Sequence, residues 1–485
     1  MLTASIIIVF ALVWALVLRH DVWMFQQNSY IASRFWTWFR SNPVSATFSL
    51  GLKKAKVPFV VTRRVVRILC ASVLLGAAVI VAATLSFGTV GLIAAAVCVL
   101  LLDKLLVVAA GFVLSPVEAA IRRWYWNDAR KRLESVQGLV VIGVTGSYGK
   151  TSTKNFLYRM LSEKYNTLVT PGNYNTTLGV IRTIREQLQP YHQVFIVEMG
   201  AKRPGDIREI CELVHPRYGI VSAVGPMHLE TFKTFENIQR TKFELVRSLP
   251  KDGAAFINAD SEGIRTYSGI SSDARIVRYG INAPEADWKV EGLRYSSGGS
   301  DFILSHDGES LAMHTALSGS GNILDICGAA AAAFELGVSP ESIRIASAKL
   351  RQVEHRLSIS RRGGITILDD AYNSNPEGAA MALDVLAGMD APEGARRIVV
   401  TPGFVELGPR QYEECVKLGR KAAECADILI VVNRLNRKAI MEGAESMGER
   451  AEAVDSLSEA AARTAALSRP GDIILYENDL PDTFK

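Results

Sequence analysis

Hydrophobic and polar positions divide this chain into two unlike parts. Leu2–Leu18 carries no charge and, at about 1.5 Å per helical residue, is long enough to cross a hydrocarbon core. Ile68–Phe87 is a second uncharged run, and Gly91–Leu114 is a third, interrupted only by the adjacent Asp103 and Lys104. These runs predict about three transmembrane helices within residues 1–132, with a buried or interfacial hairpin as the alternative for the third. From Gly138 onward, short apolar runs alternate with amphipathic helical stretches, the pattern of an α/β region built on a parallel sheet.

Charge placement sharpens the division. The chain has 485 residues and a net charge of +5, but the first 132 residues hold 15 Lys/Arg against 4 Asp/Glu, so the remainder is acidic at −6. A length of this size exceeds one core and suggests two or three domains, while 49% apolar content excludes a disordered chain. No basic stripe with interleaved stacking aromatics follows residue 133, so nucleic acid is not an expected partner. The mean hydropathy of +0.16 is high for a soluble enzyme.

No charged segment precedes Leu2 and no A-x-A-like site follows Leu18, so the first run reads as a retained anchor rather than a signal peptide. Between the first and second runs lie Arg19, Arg34, Arg40, Lys53, Lys54, Lys56, Arg63, Arg64 and Arg67 against Asp21 alone. The positive-inside bias puts this loop in the cytoplasm and, after two more crossings, the large C-terminal part there as well. Arg122, Arg123, Arg130, Lys131 and Arg132 agree. The expected location is a bacterial cytoplasmic membrane, crossed several times, with the lipid bilayer as a partner. Trp23, Phe25, Phe35, Trp36, Trp38 and Phe39 read either as an interfacial belt or as side chains packed on protein. The six cysteines show neither C-x-x-C pairs nor Cys/His ligand spacing, which excludes a zinc site or disulfide framework as an expectation.

The chemistry begins at a strand, Leu139–Val144, followed by Thr145-Gly-Ser-Tyr-Gly-Lys-Thr-Ser152 and a helix with Phe156, Leu157, Met160 and Leu161 on one face. Strand, glycine turn and helix opening at Lys-Thr form a polyphosphate cradle. Gly146, Ser147 and Gly149 bring backbone N–H groups close, Lys150 adds charge, Thr151 can ligate Mg²⁺, and Ser152 lies in the same first turn. Downstream, Val194–Met199 reads as a buried strand that delivers Glu198 to the same sheet edge, where a carboxylate can hold Mg²⁺.

Thr-Gly-x-x-Gly-Lys-Thr after an apolar strand resembles the phosphate loop of the Mur ligase superfamily, the ATP-dependent amide-forming enzymes. Other stations follow in order. Glu198 and His228 fall where the family holds magnesium, and Lys242 matches a lysine that is carbamylated in several members. Asn258 resembles an Asn-x-Asp turn near the adenine, and Asn173 and Asn175 resemble a loop near the reacting carboxylate. Arg356 and Asp369 match residues that a third domain brings to ATP, the arginine toward the γ-phosphate. Asp370-Ala-Tyr-Asn-Ser-Asn-Pro376, which contains Asn373 and Asn375, resembles the form seen in the D-alanyl-D-alanine-adding members, as does Glu406-Leu-Gly408.

The resemblance implies a P-loop Mur-ligase central domain over 133–355 and a Rossmann-like C-terminal domain over 356–485, after a membrane anchor over 1–132. It implies ATP and Mg²⁺ as cofactors, with a carbamylated lysine as a further candidate. The implied reaction joins a cell-envelope peptide precursor to an amine through an acyl phosphate, with Lys150, His228, Lys242 and Arg356 as the catalytic set. Two alternatives stand beside it: the same chemistry on a lipid-linked substrate or an amino-acid polymer such as poly-γ-glutamate, and a non-catalytic, nucleotide-dependent membrane assembly factor. Departures from the family pattern are Gly321 for a histidine and Asp325 for an asparagine around Asn322, Cys415 for a histidine, and the stretch Asp472–Pro481 where relatives tend to have a Lys-Gly-Ser-like turn. The membrane segment also stands where soluble relatives carry a UDP-gripping domain.

Overall fold

A computed structural model describes residues 2–41, 58–227, 229–296, 299–317, 319–351, 358–371, 375–389 and 391–478. It falls into two compact units, Met1–Tyr125 and Trp126–Leu480.

The first unit is helical: α1 (Leu2–Gln27), α2 (Ala32–Ser41), α3 (Arg63–Leu101), α4 (Asp103–Val113) and the start of α5 (Ser115–Ser135). Thr62 caps α3 by accepting the Val65 N–H. At 39 residues α3 would run for about 58 Å if straight, well beyond a bilayer core. It is not straight. Gly88 sits at φ 59, ψ −139, and a Cβ on Gly91 would lie 2.0 Å from the Ala83 carbonyl oxygen, eight residues back in the chain. Two helical stretches, 63–87 and 89–101, therefore fold against each other, which brings Val99 beside Gly76. The turn separates the second and third apolar runs of the sequence.

This unit is apolar on the outside. Leu74, Leu85, Phe87, Val90, Ile93 and Phe112 are exposed, while its interior holds an ionic cluster. Lys104 Nζ lies 3.1 Å from Asp21 Oδ2, and the Trp14 indole donates to Asp103 Oδ1 at 2.6 Å. Ile8–Gln27 and Arg63–Leu101 are each long and apolar enough to cross a membrane. Trp23, Phe25 and Phe35 are buried in the core of the unit, with Phe25 and Phe35 edge to face at 5.4 Å, so these three pack on protein rather than form a belt. Lys53, Lys54 and Lys56 of the expected basic loop lie outside the described residues.

The second unit contains two sheets. The first orders its nine strands β2-β3-β1-β4-β5-β6-β7-β8-β9. They are β1 (Val140–Thr145), β2 (Thr167–Val169), β3 (Val194–Met199), β4 (Tyr218–Val221), β5 (Ala254–Asn258), β6 (Arg275–Gly280), β7 (Trp288–Ser296), β8 (Gly299–His306) and β9 (Glu309–Thr315). Pairing is parallel through β7 and antiparallel from β7 to β9. The helices that position the site are α6 (Lys150–Leu161), α7 (Thr177–Gln187), α8 (Asp206–Val214), α9 (Phe235–Lys242) and α10 (Ser320–Glu335). Ala329–Ala333 of α10 are all buried, and Gly328 lets that helix meet the Tyr279 ring, because a Cβ there would stand 2.6 Å from it. Small side chains draw α10 close to the sheet and to α6, and the shared core includes Phe156, Leu157, Met160, Ile326 and Tyr279.

The second sheet orders β10-β11-β15-β12-β13-β14, from β10 (Ser358–Arg362), β11 (Ile365–Asp370), β12 (Arg397–Thr401), β13 (Ile428–Val432), β14 (Ala451–Val454) and β15 (Ile473–Glu477). All pairs are parallel except β10 with β11. The architecture is thus α/β with two sheets, a P-loop central part and a Rossmann-like C-terminal part, preceded by helices apolar enough to span a membrane.

Candidate phosphate and metal site

In the central sheet, strand order reverses at β1, whose neighbours β3 and β4 lie on opposite sides. Such a reversal opens a crevice at the carboxyl ends of the strands. The turn after β1 occupies it. Gly149 adopts φ 75 as the residue before α6, a conformation glycine takes without strain. Gly146 has no room for a side chain, since its Cβ would fall 2.2 Å from Ser222 Oγ. Ser147 is tied down by its N–H to the Ala223 carbonyl at 2.6 Å and its hydroxyl to the Gly225 carbonyl at 3.0 Å. Lys150 Nζ folds back onto its own loop, donating to the carbonyls of Gly146 at 2.8 Å and Ser147 at 2.9 Å. Ser152 is half-buried in the first turn of α6.

Register places Glu198 opposite Val144, at the end of the neighbouring strand. Thr151 Oγ1 stands 3.2 Å from both Glu198 oxygens, and Asn175 Nδ2 donates to Glu198 Oε1 at 3.0 Å. Lys154 Nζ lies 2.9 Å from Glu198 Oε2, with both residues 1% exposed. Burial pushes the Glu198 carboxyl up, but the charges of Lys154 and Lys150 and the Asn175 bond outweigh it and hold the group below the usual glutamate value. An ionised carboxylate, a hydroxyl and an amide oxygen are hard donors suited to Mg²⁺. Among the described residues no three His, Cys, Asp or Glu side chains converge on a metal position. The loop and this donor set fit a nucleotide with its Mg²⁺.

Lys242, the last residue of α9, is 4% exposed. Burial first, then the nearby Lys150 charge, lowers its pKa to about 7 despite Asp206 and Glu244. Glu244 is engaged elsewhere, accepting from the Gly205 and Arg208 N–H groups.

The other expected residues make local contacts of their own. Asn258 is buried at the end of β5, and its Oδ1 accepts the Asp260 N–H at 3.0 Å, so its side chain shapes the turn. Asn322 is half-buried near the start of α10. Asp325, on the next turn of α10, accepts from Thr153 at 2.8 Å and touches the phosphate loop, where a Cβ on Gly149 would stand 2.3 Å from Oδ1. Asn173 is exposed at the loop tip, with its carbonyl accepting the Asn175 N–H. In the C-terminal part, Asp369 Oδ1 accepts the Ala371 N–H at 3.1 Å. Asn375 is the N-cap of α11 (Pro376–Gly388), its Oδ1 accepting the Gly378 N–H at 2.8 Å. His228, Arg356 and Asn373 lie outside the described residues.

Sequence reasoning passed over Lys154, Thr170 and Ser222. Lys154 left a signal: it lies three and seven residues before Leu157 and Leu161, on the inward stripe of α6, where a lysine needs a partner. Ser222 follows β4 without any periodic mark, yet its hydroxyl donates to the Thr145 carbonyl at 3.2 Å and to the Tyr148 carbonyl.

Comparison with known proteins bears on this geometry. Residues 144–333 match the Mur ligase middle domain, and 355–476 match the Mur ligase, glutamate ligase domain. The chain is 31% identical over 365 residues to the UDP-N-acetylmuramoyl-tripeptide--D-alanyl-D-alanine ligase of Mycobacterium tuberculosis, covering 70% of each. It is 30% identical over 310 residues to the enzyme of that name from Escherichia coli, covering 64% of this chain and 67% of the relative. Crystal structures of MurF from Acinetobacter baumannii (TM-score 0.68, 26% identity, 75% of this chain and 78% of that one) and of MurF ligase from Thermotoga maritima in complex with ADP (TM-score 0.64, 26% identity, 74% and 80%) share the fold. The phosphate loop at the strand reversal, the buried Glu198 beside it and these matches together assign the chain to the Mur ligase family of ATP-dependent carbon–nitrogen ligases.

Proposed function

We propose that this ligase is anchored in the bacterial cytoplasmic membrane by residues 1–132, faces the cytoplasm, and adds D-alanyl-D-alanine or a similar amine to a cell-wall peptide precursor. The convergence of Lys150, Thr151 and Glu198 with the Asn175 loop carries the reading, because it joins a phosphate site to the loop expected beside the acceptor. The names of the relatives support the substrate pair. The inside-out polarity of the helical unit supports the anchor, since apolar exteriors and paired internal charges suit lipid surroundings.

In this scheme the acceptor carboxylate attacks the γ-phosphorus of ATP, ADP leaves, and the amine then displaces phosphate from the acyl phosphate through a tetrahedral intermediate. Lys150 leaves the Gly146 and Ser147 carbonyls to meet the β/γ-phosphate oxygens, and the loop N–H groups orient the chain of phosphates. Thr151, Glu198 and His228 would hold Mg²⁺, whose charge offsets that on the transferring phosphoryl group. Arg356 and Asp369 would reach the nucleotide from the C-terminal domain, closing the site against water. Asn173, Asn175, Asn373 and Asn375 would line the acceptor and amine positions. Lys242, whose pKa of about 7 keeps much of it neutral at physiological pH, is able to react with CO₂ as a free amine to give a carbamate. Labelled bicarbonate should then produce a carbamate carbon signal that Lys242→Met lacks.

Incubating the detergent-solubilised chain with ATP, Mg²⁺ and pairs of acceptor and amine tests the whole. Product mass should rise by one dipeptide with a UDP-linked tripeptide and D-alanyl-D-alanine. Growth of a lipid-linked acceptor instead would move the substrate to the membrane, and ADP release indifferent to every pair would remove the assignment.

A further inference from the structure

Lys150 and Lys154 lie one helical turn apart on α6 but are placed for different work. Lys150 donates to carbonyls of the phosphate turn, which a nucleotide can replace, whereas Lys154 is 1% exposed and donates to acceptors away from that turn. An ammonium has three N–H groups. Those of Lys154 meet Glu198 Oε2 at 2.9 Å, the Thr170 carbonyl at 2.9 Å and the Gly172 carbonyl at 2.8 Å, which leaves none for a phosphate.

The acceptors belong to two pieces of the site. Glu198 is the penultimate residue of β3, and Thr170 and Gly172 belong to the turn that leads to Asn173 and Asn175. The same turn is clipped again further on. Thr170 Oγ1 accepts the Glu198 N–H at 3.0 Å, Asn175 Nδ2 donates to Glu198 Oε1 at 3.0 Å, and the Asn175 carbonyl accepts the Gly200 N–H at 2.7 Å. With Lys154 on one carboxylate oxygen, Asn175 on the other and Thr151 reaching both, Glu198 has a single orientation that satisfies all its partners.

We propose that Lys154 is a positioning residue: one buried ammonium sets the orientation of the Glu198 carboxylate and the path of the 170–175 turn, so that the cation site and the acceptor loop are built as one piece. This rests on Glu198 as a Mg²⁺ ligand. A fixed positive charge 2.9 Å from a ligand oxygen must also weaken attraction for a divalent cation. Lys154 therefore trades cation affinity for alignment, and the two effects have opposite signs when it is removed.

Lys154→Met in the full solubilised chain should lower the half-saturating Mg²⁺ concentration by about tenfold. It should also reduce kcat by about 100-fold through misalignment and raise KM for the acceptor, with KM for ATP near wild type. Lys154→Arg restores the charge but not three divergent donors, so it should return the Mg²⁺ dependence toward wild type and leave the acceptor KM raised. Lys154→Arg also covers the case in which the Met variant folds poorly. In a Glu198→Gln background Lys154→Met should no longer shift the Mg²⁺ dependence, because that effect runs through the carboxylate, while the rise in acceptor KM, which runs through the Thr170 and Gly172 carbonyls, should remain. A Mg²⁺ shift that persists in the Gln background, or a folded Lys154→Met enzyme with wild-type Mg²⁺ dependence and acceptor KM, would overturn the proposal. If Glu198→Gln itself leaves the Mg²⁺ dependence unchanged, the fault lies with the metal-ligand reading instead.

Discussion

Glu198 and Glu477 lie at the carboxyl ends of parallel strands in the two sheets of the second unit, the first one residue before the end of β3 and the second as the last residue of β15, and burial acts on both in the same direction. Glu198 is 1% exposed and Glu477 0%. Yet the central carboxyl titrates below the usual glutamate value, while burial, reinforced by the Asp370 charge and opposed by the Thr401 hydroxyl, pushes Glu477 up to about 8. Lys154 and Lys150 account for the contrast. An acid at a strand end is thus a charged site only where the topology also delivers cations. Where it does not dominate, the same residue becomes a neutral hydrogen-bonding group, here 2.5 Å from Thr401 Oγ1.

Removing the cations is the strongest way to break the comparison. Lys150→Ala should cut ADP release by at least about 100-fold, the scale of losing one stabiliser of developing charge, and should raise the Glu198 pKa toward that of Glu477. Steady-state kinetics with a pH titration checks both. Glu198→Gln comes next: turnover should fall by about tenfold or more and the Mg²⁺ dependence should shift, while Glu477→Gln should leave that dependence as it is. Titration with Mg²⁺ separates the two.

The stability effects are smaller and opposite in sign. Glu198 has a lowered folded pKa, so its contribution is present above the unfolded value near 4.5 and disappears as pH falls through the folded value. Glu477 has a raised one, so its contribution is complete below about 4.5 and is lost as pH rises through about 8. Thermal unfolding should therefore show Glu477→Gln gaining on the wild type between pH 5 and pH 9. Least of all, Asn375→Ala should cost about 1 kcal/mol of stability as a lost N-cap, seen in denaturant melts, and Asn375→Asp should recover it. Asn175→Ala, by contrast, should act on kcat, since its amide holds Glu198.

Much of this was legible beforehand, for a definable reason. Uninterrupted apolarity marked the helical unit, alternating short runs marked the sheets, and a glycine turn between strand and helix marked the phosphate loop. Glu198 was legible because an apolar strand ending in a carboxylate carries its own address. Asn375 has a local role that its spacing also allowed: Asn-Pro before a helix is an N-cap signal, and the side chain caps α11. Asp325 was noted as a departure around the adenine, but it lies against Gly149 and Thr153 because the alanine face of α10 packs close to α6.

By itself, then, the sequence determined everything that depends on spacing within one element: the three apolar runs, the strand that ends in Glu198, the loop glycines and the inward stripe of α6. Tertiary structure alone decided which of those elements meet. The strand order β2-β3-β1 sets Glu198 beside the phosphate loop and the 170–175 turn beside Glu198, so that Lys154, whose place on the inward stripe of α6 demanded a partner without naming one, becomes the counter-charge of the site. Gly88 likewise allowed a fold-back without prescribing it, and the close approach of Gly91 to Ala83 completed it. Periodicity is a property of a single helix or strand, whereas charge state and partnership are set by groups far apart in the chain, and only packing brings those within a few ångströms.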